Sequence, residues 1–484
     1  MSHREAPLPS GESPRAAHPG SYRRRDLAAL ATSRPAGLAI AAAAALIAWQ
    51  LPGVALFGPT TEAPVHDLRT RSGAPATSHD VLARRLALLN AYIDVGESAV
   101  GGDVVPVVRG VDDGVTEFLL DDVMAELLGK QGRVRVSHVL DYTSEIIARP
   151  RLRTRDGFFA AVDALNDALD HRGSGYYVFA SLQWHDKSKK FERIAFDVYA
   201  IDGVQRYRSG ERIIAALRVH LPESSGRPGQ AHDHRLGFTS AGHPDALVVP
   251  ARVDHELRMG LIPALEPEGS TLLFQVSAGN SESPWYRRLR QTVARVLRDD
   301  LAAMSGSWSG DFSASREALI RAVELHEIQH LLDFGHERRE RARHEAGDRS
   351  GLPPLDGPFQ RLAEYTGKED LAREGFHETS AHLAQMARDP ATSRITLAVV
   401  TSYAFSSDCT HGDCYAALAI LDELAIELGH QSTPTLTGDD FYLVSDLAEF
   451  YTVLAHHSRD ELSQAARTTW ERLFHRPLAP VTAI

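Results

Sequence analysis

His326-Glu327-Ile328-Gln329-His330 reads HExxH, and the residues around it, 319–334, carry a helical pattern. Two histidines four apart on a helix differ by about 40° in direction and about 6 Å along the axis. Their imidazoles therefore point the same way and suit one zinc ion, at about 2.0–2.1 Å per bond. Glu327 stands beside the pair, where a carboxylate can take the proton of a water polarised by the metal. Ile320, Glu327, Leu331 and Phe334 form one stripe of this helix. Leu319, Val323, His326 and His330 form the next, and Leu325, Ile328 and Leu332 make a third side apolar. A helix apolar nearly all round is buried. Three ionisable groups then face an interior and need partners, which a metal supplies. The competing reading is a pair of structural buried histidines.

Catalytic zinc takes three protein ligands and keeps one position open. Three residues compete for the third place. Glu378 lies in His377-Glu378-Thr379-Ser380-Ala381-His382, where Glu378 and His382 are four apart and share a helix face. His336 stands ten residues after His326, with Asp333 between them. Glu364 sits on another downstream helical stretch.

An HExxH helix followed by a helix bearing a glutamate resembles the gluzincins, the thermolysin-like zinc metallopeptidases, over roughly residues 270–390. The Glu378–Ala384 run also looks like a helix of bacterial, membrane-anchored HExxH proteins. The resemblance implies zinc held by His326, His330 and Glu378, with Glu327 as general base in peptide-bond hydrolysis. It implies that His382 orients a histidine ligand through a hydrogen bond. It also implies a substrate-binding edge strand, for which 271–277 is eligible, and a donor to the oxyanion from Tyr403, His411 or Tyr415. His336 is the metzincin alternative.

These side chains need a scaffold. Helical periodicity marks 81–92, 115–128, 157–169, 285–304, 374–388, 396–405, 414–428, 445–457 and 459–474. Gly335 is placed to end the HExxH helix. Strands are expected at 176–184 and 193–201, with Asp202-Gly203 as a hairpin turn before 204–207. His232, His234, His243 and His255 fall in a Pro/Gly-rich stretch read as solvated loop rather than as a second metal site.

The fold expected is α+β, in five segments. Residues 1–35 are a basic, disordered tail. Residues 36–58 are an apolar run long enough to span a membrane once as a signal anchor, or to act as a cleaved signal. Residues 59–78 are a linker. Residues 79–250 form an α+β domain of unassigned role, and 251–484 form a mostly helical zincin-like domain with a small leading sheet. Basic residues before the apolar run place the catalytic region on the extracytoplasmic side. There the chain's two cysteines, Cys409 and Cys414, can close a disulfide. The partners expected are a peptide or protein substrate and a membrane, through the N-terminal helix. The net charge of −12 argues against nucleic acid. The alternative function is a catalytically inactive, membrane-tethered binding or sensory protein with a structural zinc site.

Overall fold

The computed structural model describes residues 78–100, 103–185, 188–222, 236–266, 273–274, 283–305, 312–345, 355–405, 411–430 and 444–484. The segments 1–35, 36–58 and 59–77 lie outside them, as do His232, His234 and Cys409. Among the described residues no helix is long and apolar enough to cross a membrane. Residues 72–484 form one compact unit.

The fold is mixed α+β. Helix α1 (Ser78–Ala87) leads into a hairpin, β1 (Ile93–Val100) and β2 (Asp103–Val111), followed by α2 (Asp122–Ala148) and α3 (Leu152–His171). A six-stranded sheet comes next: β3 (Tyr176–His185), β4 (Lys190–Ser209), β5 (Arg212–His220), β6 (Gly237–Phe238), β7 (Ala246–Val248) and the late β8 (Thr482–Ala483). Its order is β3-β4-β5-β7-β6, with β8 paired to β4. The β5–β7 pair is parallel and the other pairs are antiparallel. Alternation along the strands sorts the side chains. Val178, Ala180, Phe196 and Val198 share a core with α2 and α3, while Tyr177, Phe179, Tyr199, Leu217 and Phe238 form a separate cluster.

Two expectations fail here. Asp202-Gly203 is not a turn: β4 runs through it with a bulge between Ile201 and Gly203. The turn comes instead at Gly210, whose φ of 60° is open to glycine without strain. A bulge accommodates the same small residues as a hairpin, so the dipeptide signalled an irregularity and not its kind. The β1–β2 hairpin had no counterpart in the sequence reading.

His243 is not in solvated loop either. It is 1% exposed and stacked on Phe179, with Nε2 3.1 Å from the Ala180 amide nitrogen. It fastens the β6–β7 connection to β3. Beside it Asp245 is pushed up to about 6, first by burial and then by Asp163. A raised carboxyl contributes stability below its ordinary value of 3.8 and loses it as pH rises through about 6. Asp245→Asn should therefore leave stability nearly unchanged near pH 4 and raise it by about 3 kcal/mol at pH 8. Urea melts at the two pH values check this; an equal gain at both would refute the assignment.

The second half is helical: α4 (Pro250–Glu256), α5 (Pro284–Ser305), α6 (Ser313–Glu345), α7 (Gly357–Thr366), α8 (Glu369–Arg388), α9 (Ser393–Tyr403), α10 (Gly412–Glu427), α11 (Val444–Leu454) and α12 (Arg459–Phe474). Helix α6 carries HExxH and packs Leu325, Ile328 and Leu331 on Tyr207, Ile214, Ala216 and Ala246 of the sheet. It does not end at Gly335 but runs on to Glu345. An interior glycine costs a helix about 1 kcal/mol. Tertiary ties on both sides of it offset that, with Asp333 bound by Arg476 at 2.6 Å and Glu337 3.2 Å from His377.

Candidate metal centre

Two helices place the site. Helix α8 is buried along 379–387, where Thr379, Ser380, Ala381 and Ala384 are small enough for close helix–helix approach. A polar clamp sets its register against α6. Gln329, inside HExxH, donates to Asp333 Oδ1 (2.8 Å) and Ser380 Oγ (3.3 Å), and its carbonyl accepts from Arg388 (2.7 Å). Ser380 also accepts from Trp470 of α12 (3.0 Å). From the other side Glu324, fully buried, accepts from Arg218 Nε of β5 (2.8 Å) and from the Tyr207 hydroxyl of β4. None of these residues was assigned this clamping part from the sequence. The signal that Glu324 and Gln329 carry there is polarity on a helix stretch otherwise apolar nearly all round.

With the register set, Glu378 meets both histidines. His326 Nε2 and His330 Nε2 are 3.1 Å apart. Glu378 Oε2 is 3.3 Å from His326 Nε2, and Oε1 is 3.6 Å from His330 Nε2. Donor atoms around a four-coordinate zinc with bonds of 2.0–2.1 Å are about 3.4 Å apart, so these three fit one ion. The Nδ1 atoms of both histidines are buried without a hydrogen-bond partner. Burial by itself would raise the Glu378 carboxyl, but His330 and His326 outweigh it and hold it well below the usual carboxylate range. His382, one turn on, is pushed down to about 3, chiefly by burial and then by His326, so it stays neutral.

The alternative ligands go elsewhere. His336 stays on the continuing α6 helix, where burial and then Arg476 lower it, and it does not line the cavity. Glu364 is exposed on α7 and accepts from Gln360 (2.8 Å).

His326, Glu327, His330 and Glu378 line a cavity of about 760 Å³. Glu327 is 5% exposed there. The cavity is bordered by β6, one of the two edge strands of the sheet among the described residues, through Leu236, Gly237, Phe238 and Thr239. Gly237 is required by this approach, because a Cβ there would lie 2.9 Å from Glu327 Oε1 and 2.7 Å from Val323. The edge strand expected at 271–277 is not seen: Leu273 and Phe274 form a bend packed into the core, and the rest lies outside the described residues.

Of the three oxyanion candidates, Tyr403 and His411 line the cavity, whereas Tyr415 lies in the helical core. Tyr403 is raised by burial first, then by Asp413, Glu256 and Glu378. Glu374 is raised by burial and by Asp413. No lysine or arginine is among the cavity's described lining residues. Cys414, close by at the start of α10, is disulfide-bonded, and the chain's other cysteine is Cys409.

No protein-family model and no curated protein matches the chain. It is similar to a solved structure titled "Structure of DPP III from Caldithrix abyssi", at a TM-score of 0.34 and 13% identity, covering 80% of this chain and 71% of that one. That likeness is too slight to carry an inference about activity.

Proposed function

We propose that the chain is a zinc-dependent peptidase, anchored by residues 36–58 with its catalytic region on the extracytoplasmic side. The observation that carries the catalytic part is the convergence of His326, His330 and Glu378 at the spacing of a zinc site, in a cavity shared with Glu327 and with β6, an edge strand among the described residues. A bound zinc supplies Lewis acidity, polarising a peptide carbonyl and acidifying a water. The chain's own residues do the rest. The β6 edge offers backbone groups to an extended peptide, which would add to the sheet as a further strand. Glu327 takes the proton of the attacking water and returns it to the leaving amine. Tyr403 and His411, which line the cavity, are the eligible donors to the developing oxyanion. Glu256, Glu374 and Asp413 give the cavity an acidic wall that favours a cationic group on the substrate.

The test is cleavage of a quenched-fluorescent peptide library by zinc-loaded protein. Turnover should vanish on chelation and return with zinc. Stoichiometric zinc with no cleavage of any peptide would favour the second reading, a structural zinc in a binding or sensory protein.

A further inference from the structure

Among the side chains that helix α8 turns toward α6, Glu378 and His382 stand one helical turn apart at the metal site. The three-ligand set uses only the first, yet His382 lies inside the same cluster. One of its ring nitrogens, one of His326 and a Glu378 carboxylate oxygen are all within 4.8 Å of one another. Its ring centroid is 4.4 Å from that of His326, closer than the 4.7 Å between His326 and His330. His382 is 7% exposed, and neither ring nitrogen has a hydrogen-bond partner. Gln385, three residues on, donates its amide to Thr396 (3.0 Å) and makes only a weaker side-chain contact with the His382 imidazole. Buried polar atoms left in that condition are rare and costly. Orienting a histidine ligand does not account for the residue, because the Nδ1 atoms of His326 and His330 are themselves unpartnered.

We propose that His382 is a fourth protein ligand of the ion. The inference rests on the zinc reading above and deepens it. Two pairs spaced i,i+4 on facing helices, His326/His330 and Glu378/His382, then make a closed shell of three imidazoles and one carboxylate. Rotation about the histidine χ angles brings the nitrogen from its present position into the shell. Closed four-ligand shells are the pattern of structural zinc, and an open position is that of catalytic zinc. His382 therefore keeps the site latent, and water or substrate reaches the ion only by displacing this imidazole.

The experiment loads the full chain, His382→Ala and the bulk-preserving His382→Phe with Co2+ and records visible absorption. Each is then titrated with a peptide hydroxamate. The unaltered chain should show the intense bands of four-coordinate cobalt and bind the hydroxamate roughly tenfold or more weakly than the variants. In the variants the bands should weaken as solvent enters the shell. Identical bands and equal hydroxamate affinity in all three proteins overturn the proposal. X-ray absorption on the zinc-loaded unaltered chain needs no variant: three imidazoles support the proposal and two overturn it. Metal uptake with two imidazoles removes His382 alone and leaves the three-ligand site standing. No metal uptake at all removes both.

Discussion

Glu327→Gln should lower peptide turnover by about 10²–10⁴-fold while zinc content stays at that of the unaltered protein. The amide fills the same space but cannot accept a proton. Glu327 is not within the ligand set, so metal affinity has no reason to change. Its surroundings make the substitution a clean one: Gly237 stands where any Cβ would strike Glu327, so the backbone of β6 passes close to the carboxylate. Assay of turnover beside metal analysis separates the outcomes. Proteolysis retained in the variant would falsify the base assignment, and loss of zinc together with activity would assign Glu327 a structural part instead.

The largest expected effect on stability belongs to a residue outside the ligand set. Glu324→Ala should cost about 3–5 kcal/mol, because it leaves the Arg218 guanidinium and the Tyr207 hydroxyl facing a vacated buried position. Arg218 keeps its second carboxylate, Glu317 at 2.7 Å, which lies half in solvent and offsets only part of the loss. The double change Glu324→Leu with Arg218→Leu should recover part of the stability, since buried ion pairs are often replaceable by apolar residues, while the Tyr207 hydroxyl stays unpaired. Denaturant melts of the single and double variants measure both. A single variant within about 1 kcal/mol of the unaltered protein would show that this pair does not hold α6 to the sheet.

Much of the site was legible because it is local. An i,i+4 pair on a helix fixes the relative direction of His326 and His330 whatever the rest of the chain does. The same holds for Glu378 and His382. The burial of α6 also follows locally, from apolar residues on three sides, and the structure bears it out at Ile320, Ile328 and Leu331. Long, strongly periodic helices such as Arg459–Phe474 were equally readable.

What the residues alone left open was every question decided by packing at a distance. Gly335 and Asp202-Gly203 carry signals for a stop and a turn, and tertiary ties or a bulge override both. His336 and Glu364 competed with Glu378 for the third ligand place. Only the docked register of α8 on α6, held by Gln329, Ser380, Arg388 and Trp470, brings Glu378 to the two imidazoles and leaves the others outside. The physical reason is that helix geometry propagates direction over a few residues. Which face of a distant helix meets it is set by side chains at positions that neither pattern specifies.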